Sequence, residues 1–323
     1  MQENEYYDLL IIGGGPAGLS AGLYAMRAAL KTGLIEKGAF GGQAALTKDV
    51  ENYLGFERIS GFDLSERFLK HTQSYGIELI RAEVTAISPG SECHYVILDD
   101  KRSLCARAVI LATGSSPRKL NVAGEKRYSG HGVSYCATCD GLFFRNQTVV
   151  VVGGGDTATE EAIYLARIAK RVHVIHLEEA LRSSKILQSR LMGECNVELH
   201  PNSTVSRIIG DGTNVNAVLI RNVHTEKVHE LPTDGVFIFI GLSPNNQLVP
   251  AGIRRTPGGH VFTDEKCETS IPGIFAVGDL RHKYANQIAV AVGDGCTGAL
   301  AAAHYIEMTK EEKLLCQLYY PAA

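Results

Sequence analysis

Five consecutive residues, Cys136-Ala137-Thr138-Cys139-Asp140, hold the most reactive chemistry in the chain. Two thiols with two residues between them can close a small, reducible disulfide. The active species in exchange is the thiolate, so proton handling matters to the rate. Asp140 follows directly and offers a carboxyl for that proton. The same two cysteines could instead be half of a zinc site, which needs a second ligand pair at compatible spacing. His131, Cys195 and His200 are not so arranged. The pattern therefore predicts a redox pair and no metal. Cys93, Cys105, Cys195, Cys267, Cys296 and Cys316 read as inert small hydrophobes. His173 and His176 read as strand or surface residues without a catalytic role.

Glycine-rich loops lie on either side of this pair. The first follows residues 6–12, a mostly apolar run that reads as a buried parallel strand. Gly13, Gly15 and Gly18 have the spacing that lets a backbone turn sharply, approach a pyrophosphate, and pack a helix closely on a strand. Pro16 and Ala17 open that helix, which is predicted to run through Ala29 with its N-terminus facing the phosphates. A second strand, 32–35, leads to Glu36, placed to accept from ribose hydroxyls. Strand, loop, helix, strand and acid together are far more specific than the glycines alone. The unit recurs after the cysteines. Residues 148–152 are a β-branched strand, and Gly153, Gly155 and Ala158 take the three loop positions. A helix is predicted over 160–169 and a strand over 172–175.

These elements set the architecture. A chain of 323 residues suggests two domains of roughly 150 residues each. Two βαβ units predict an α/β fold with two Rossmann-like, three-layer ββα domains. Residues 77–111 alternate strand-like runs with turns, and 108–111 lead into Ala112-Thr113-Gly114. Ser115-Ser116-Pro117 and 241–246 interrupt regular structure. Residues 274–277 read as a strand before Gly278-Asp279, and a helical pattern covers 287–307. The chain re-enters its first fold there. This predicts a discontinuous domain, 1–118 and 245–323, with 119–244 inserted into it. A net charge of −3 gives no support to a nucleic-acid or anionic-membrane partner. No apolar run approaches the length a bilayer requires, and the N-terminal residues lack the basic start of a secretion signal. With a single close cysteine pair, these features predict a cytoplasmic protein.

Over nearly its whole length the sequence resembles the low-molecular-weight thioredoxin reductases. The resemblance is carried by GGGPAGLSAGLYAMRA from Gly13, GGQ from Gly41, ENYLGF from Glu51 and ATG from Ala112. It continues in GVSYCATCDG from Gly132, GGGDTATEEAIYLAR from Gly153 and GIFAVGD from Gly273. The resemblance implies a homodimeric flavoprotein, with FAD on the discontinuous domain and the disulfide on the inserted one. By it, Gly13, Gly15, Pro16, Ala17, Gly18 and Glu36 would hold the FAD pyrophosphate and ribose. Gly42, Gln43, Asn52, Val84, Ala112, Thr113, Gly114, Gly278, Asp279, Gln287 and Ile288 would contact the rest. Cys139 would face the flavin, Cys136 would attack a thioredoxin-like disulfide protein, and Asp140 would be the general acid. A rotation about the two linkers would let one disulfide serve both partners.

Two departures bear on the electron donor. In the family, NADPH is held by paired arginines and a further arginine after the second strand of the inserted domain. Here that run reads His176-Leu177-Glu178-Glu179-Ala180-Leu181-Arg182. An acid in an arginine's place repels a phosphate dianion and removes its bidentate donor. Glu178 could instead select NADH through a ribose hydroxyl. Near the C-terminus, Tyr319 and Tyr320 could stack on the isoalloxazine, as aromatic tails do in thioredoxin-reductase-like ferredoxin–NADP reductases. They could equally pack in a dimer interface or on the last helix. Both departures resemble the pyridine-nucleotide-independent branch of the family, the deeply rooted thioredoxin reductases and the ferredoxin-dependent flavin thioredoxin reductases. The expectation is an FAD-dependent disulfide reductase fed by a donor such as ferredoxin. Three alternatives compete with it. One is an NADH- or NADPH-dependent thioredoxin reductase, and another is a redox-sensing flavoprotein without turnover. The third is a flavin-dependent ferredoxin–NADP reductase, against which the intact cysteine pair argues.

Overall fold

Burial on both faces explains the apolar run of β1 (Glu5–Ile12), the behaviour of a central parallel strand. Leu9 and Ile11 join the core beneath the helices, while Tyr7, Leu10 and Ile12 join the core on the opposite face. The computed structural model describes residues 5–47 and 50–319, without the side chains at 138, 139 and 311–319. It divides into two units, Met1–Ser116 with Ser243–Ala323, and Pro117–Leu242. In the first, α1 (Pro16–Arg27) ends before Ala29, which takes φ 55°. Glycine usually fills that left-handed position, so nothing in the sequence marked the stop. Then come β2 (Thr32–Glu36) and α2 (Gly61–Gln73), whose Ser60 cap accepts from Asp63 N at 3.0 Å. The strands β3 (Glu78–Arg81), β4 (Val84–Ser88), β5 (His94–Leu98) and β6 (Ser103–Leu111) follow. Cys93 and Cys105, expected to be inert, instead form a disulfide across the β5–β6 hairpin, with Cα atoms 6.0 Å apart. Tyr95 pairs with Cys105, which brings Cys93, just ahead of β5, within bonding reach. The chain leaves this unit through β7 (Ser115–Pro117).

The second unit contains β8 (Val133–Ser134), α3 (Ala137–Asp140), β9 (Thr148–Val152), α4 (Asp156–Ala166), β10 (Arg171–Ile175) and α5 (Lys185–Met192). After them come β11 (Val197–His200), β12 (Ser203–Gly210), β13 (Val215–Asn222), β14 (Val228–Pro232) and β15 (Gly235–Ile238). A parallel sheet has the order β11-β10-β9-β15-β8, and β12-β13-β14 form an antiparallel sheet beside it. The four valines of β9 decide the layering. Val149 and Val151 pack with α4 and α5, and Val150 and Val152 pack with the antiparallel sheet. Each is fully buried or nearly so, worth about 1.5–3 kcal/mol relative to exposure. α4 starts at Asp156, earlier than the expected 160, because the helix begins directly at the glycine loop with Gly155 as its cap.

The return crossing, β16 (Leu242–Pro244), pairs with β7. β17 (Ile274–Ala276) then adds in parallel to β6, in a sheet of order β3-β2-β1-β6-β5-β4. α6 (Ile288–Tyr319) runs well past the expected end at 307. Residues 299–320 contain no glycine or proline, so no local signal stops it. The side chains that pack α6 onto α1 include Ala299, Ala302 and Ile306 against Ala21 and Ala25. The fold is α/β with two Rossmann-like parallel sheets. Among the described residues no helix is long and apolar enough to cross a membrane.

Candidate active site

Cys136 lies between β8 and the single turn of α3. Ser134 Oγ accepts from Cys136 N and lies equally close, at 3.1 Å, to Cys136 O, to which it donates. Asp140 N donates to the same carbonyl at 3.2 Å. These bonds fix the backbone around the first cysteine and set Asp140 one turn from it. Cys136 is disulfide-bonded; the side chain of Cys139 is outside the described residues. Next to Cys136, Tyr135 OH donates at 2.7 Å to buried Glu125, which also accepts from Leu120 N and Asn121 N at 2.8 and 2.6 Å. Burial, and then this bond to Glu125, raise the Tyr135 pKa. No sequence motif pointed to Glu125. Leu142 and Phe143 follow the pair in sequence and are 57% and 78% exposed, an apolar surface pair. On α4, Glu161 is pushed up to about 7 by burial and then by Glu160. Its Oε2 has no hydrogen-bond partner among the described residues.

The first glycine loop shows why each glycine is there. Gly13 takes φ +110°, and a Cβ on it would strike Ala112 O; a Cβ on Gly18 would strike Gly13 O. Gly15 caps α1 without a side-chain partner, and the nearest atom to a Cβ there is Gly42 Cα at 3.9 Å. That space, in front of free helix N–H groups with no acid in the first turn, suits an anion. Glu36, ending β2, accepts from Gly14 N at 2.7 Å and Gly38 N at 2.8 Å. Gly41 N donates to Gly14 O at 2.8 Å, which brings Gly42 and the start of Gln43 to the loop. Ala112 N donates to Ile12 O at 2.8 Å, and Thr113 Oγ1 donates to Asn245 O at 2.7 Å ahead of Gly114. Asn52 Nδ2 donates to Gln287 Oε1 at 3.1 Å, joining two predicted site residues far apart in sequence, with Ile288 opening α6 beside them. Lys37 and Glu83 pair at 2.9 Å, which draws the start of β4, Val84, towards the end of β2. Gly278 and Asp279 form a turn anchored by residues not singled out from sequence. Lys283 Nζ lies 3.2 Å from both Asp279 and Asp294, and Arg281 lies 2.7 Å from Asp294. Tyr319 ends α6 with its side chain outside the described residues, as is all of Tyr320.

The second loop repeats the cradle. Gly153 takes φ +141°, and Gly155 caps α4 with nothing within 4 Å of a Cβ. Its surroundings differ in charge. Asp156 occupies the first turn of α4 and accepts from Ser184 N at 2.7 Å. After β10, His176 is buried, and burial lowers its pKa. Leu177 is 58% exposed. Arg182, the one cation of the 176–182 run, lies 3.9 Å from Glu178.

The family model Pyridine nucleotide-disulphide oxidoreductase matches residues 7–295. The thioredoxin reductase of Listeria innocua is 44% identical over 310 residues, covering 96% of this chain and 97% of that one. The crystal structure of Lactococcus lactis thioredoxin reductase superposes with a TM-score of 0.91 at 41% identity, over 94% of this chain and 99% of that one. A ferredoxin-flavin thioredoxin reductase from Clostridium acetobutylicum is 31% identical over 95% and 100% of the chains, with a TM-score of 0.53. A cysteine pair on the second Rossmann-like unit, a dinucleotide cradle on the first and these likenesses have one explanation: the chain belongs to the pyridine nucleotide-disulphide oxidoreductases, as an FAD-dependent flavoprotein of the low-molecular-weight thioredoxin reductase family.

Proposed function

We propose that this flavoenzyme reduces the disulfide of a thioredoxin-like protein through Cys136 and Cys139, with electrons that do not come from NADPH. FAD fits the first unit. Gly13, Gly15, Pro16, Ala17 and Gly18 leave an open, uncapped helix N-terminus for a pyrophosphate, and Glu36 stands at the strand end for ribose hydroxyls. Bound there, FAD supplies the electron pair that opens the enzyme disulfide. The chain's own groups do the rest. The Cys136 thiolate attacks one sulfur of the partner disulfide, forming a mixed disulfide and releasing a thiolate that Asp140 protonates. The Cys139 thiolate then attacks Cys136 Sγ, which frees the second partner thiol and closes the enzyme disulfide. Leu142 and Phe143 offer the partner an apolar contact.

The observation that carries the donor assignment is the loop after β10. A 2′-phosphate arriving there meets Leu177, Glu178 and Glu179, and the guanidinium of Arg182 already faces Glu178. Charge-assisted bonds to a phosphate contribute about 1.5–3 kcal/mol each, so their loss removes most of the discrimination for NADPH. Reduced ferredoxin is the donor this reading favours, in a homodimeric, cytoplasmic enzyme. The Cys93–Cys105 disulfide removes one premise of the cytoplasmic assignment, the single cysteine pair. Returning the donors tests the reading: the double variant Leu177→Arg, Glu178→Arg is expected to raise NADPH-driven disulfide reduction by at least about tenfold. No gain in that variant, with the fold intact, would show that the loop does not decide the donor.

A further inference from the structure

Three potential metal ligands converge on the edge of the parallel sheet of the second unit. In the register of β10 and β11, His173 stands opposite Glu198, and Ile175 stands opposite His200. Residues two apart on a strand share a face, and so do partners across parallel strands. His173, Glu198 and His200 therefore project to one side, the side on which Ile175 packs towards the antiparallel sheet. His173 Nδ1 lies 3.0 Å from His200 Nε2. Glu198 completes a triangle, with Oε2 3.6 Å from His173 Nδ1 and Oε1 3.6 Å from His200 Nε2. Tetrahedral zinc with bonds of about 2.0–2.1 Å sets its donors about 3.3 Å apart, between the two separations seen here. The imidazoles are 7% and 16% exposed and the carboxylate 48%, so the triangle is walled on the histidine side and open on the Glu198 side. The open side leaves a fourth position for water.

We propose that His173, Glu198 and His200 form a divalent transition-metal site of the zinc type that ties the edge strand β11 to β10. Two imidazoles and a carboxylate suit zinc and its neighbours rather than magnesium or calcium, which take oxygen donors. Arg171 contacts Glu198 at 3.0 Å and competes for that carboxylate, but the pair is exposed and holds it weakly. His229, exposed on β14, and buried His176, just after β10, are further titratable groups coupled electrostatically to His200. Without a metal, the two rings would simply share one hydrogen bond. The proposal is independent of the electron-donor assignment.

The test uses FAD-loaded, oxidised full-length protein carrying Cys195→Ser, which removes the exposed free thiol among the described residues. Zinc titration by calorimetry after chelator dialysis is expected to show one saturable site per chain. Zinc-edge X-ray absorption should show nitrogen and oxygen ligands only. Glu198→Gln, at a half-exposed position, should weaken zinc at least about tenfold, and His200→Gln more. Zinc should also raise the melting temperature of the parent and leave that of His200→Gln unmoved. No saturable zinc, sulfur among the ligands, or unchanged affinity in both variants would overturn the site.

Discussion

Cys136 and Cys139 have the same chemistry but different assigned roles, and the roles are separable by substitution. In Cys139→Ser the resolving thiol is gone, so the reduced enzyme is expected to accumulate a mixed disulfide between Cys136 and oxidised thioredoxin, visible by mass spectrometry. Cys136→Ser should give none; the reverse pattern would exchange the roles. Glu161 makes a different kind of statement. Burial raises its pKa from 4.5 to about 7, so the folded protein keeps this proton to higher pH than the unfolded chain does. The unfolded state loses the proton first, and stability falls as pH rises through that window, by up to about 3 kcal/mol. Below it the group costs nothing, and above about pH 7 the full cost is present. Glu161→Gln should accordingly unfold at higher denaturant than the parent at pH 8 and alongside it at pH 4. Equal midpoints at pH 8 would mean that Glu161 is not held in its neutral form.

The β5–β6 hairpin carries a cross-link that closes a short loop between Cys93 and Cys105, positions separated by 12 residues. Constraining a loop of this length in the unfolded chain stabilises by about 2–3 kcal/mol. Cys105→Ser should therefore lower stability without a thiol reductant, where the parent keeps its bond, and a strong thiol reductant should bring the parent down to the variant; equal stability before reduction would show that the cross-link contributes nothing. This element also marks where reading the sequence runs out. Gly13 and Gly18 were legible because their constraint is local, a backbone oxygen where a Cβ would sit. The valines of β9 were legible because burial on both faces demands them. The Cys93–Cys105 bond and the convergence of His173 with His200 depend on which residue of one strand faces which residue of the next. No short pattern encodes that register. Ala29 in a left-handed conformation and the uninterrupted run of α6 misplaced two helix ends for the complementary reason: one stop lacked its usual residue, and one expected stop had none.

At the scale of the whole molecule, one chain builds two glycine-loop cradles from the same strand–loop–helix unit and gives their helix termini different charge. The cradle at Gly15 opens onto a helix terminus free of acids. The cradle at Gly155 has Asp156 in its helix and Glu178 and Glu179 in the loop that should grip a phosphate. A family that couples a pyridine nucleotide to a disulfide through FAD can lose the first partner and keep the other two if electrons enter elsewhere. The most direct measurement is anaerobic reduction of the FAD-loaded enzyme, followed at the oxidised-flavin absorbance band, with NADPH, NADH and reduced ferredoxin in separate cuvettes. Reduced ferredoxin is expected to bleach the band, oxidised thioredoxin to restore it, and neither nucleotide to change it. Rapid bleaching by NADPH would contradict the assignment and make this an ordinary NADPH-dependent thioredoxin reductase; bleaching by NADH alone would contradict it too and give Glu178 the ribose.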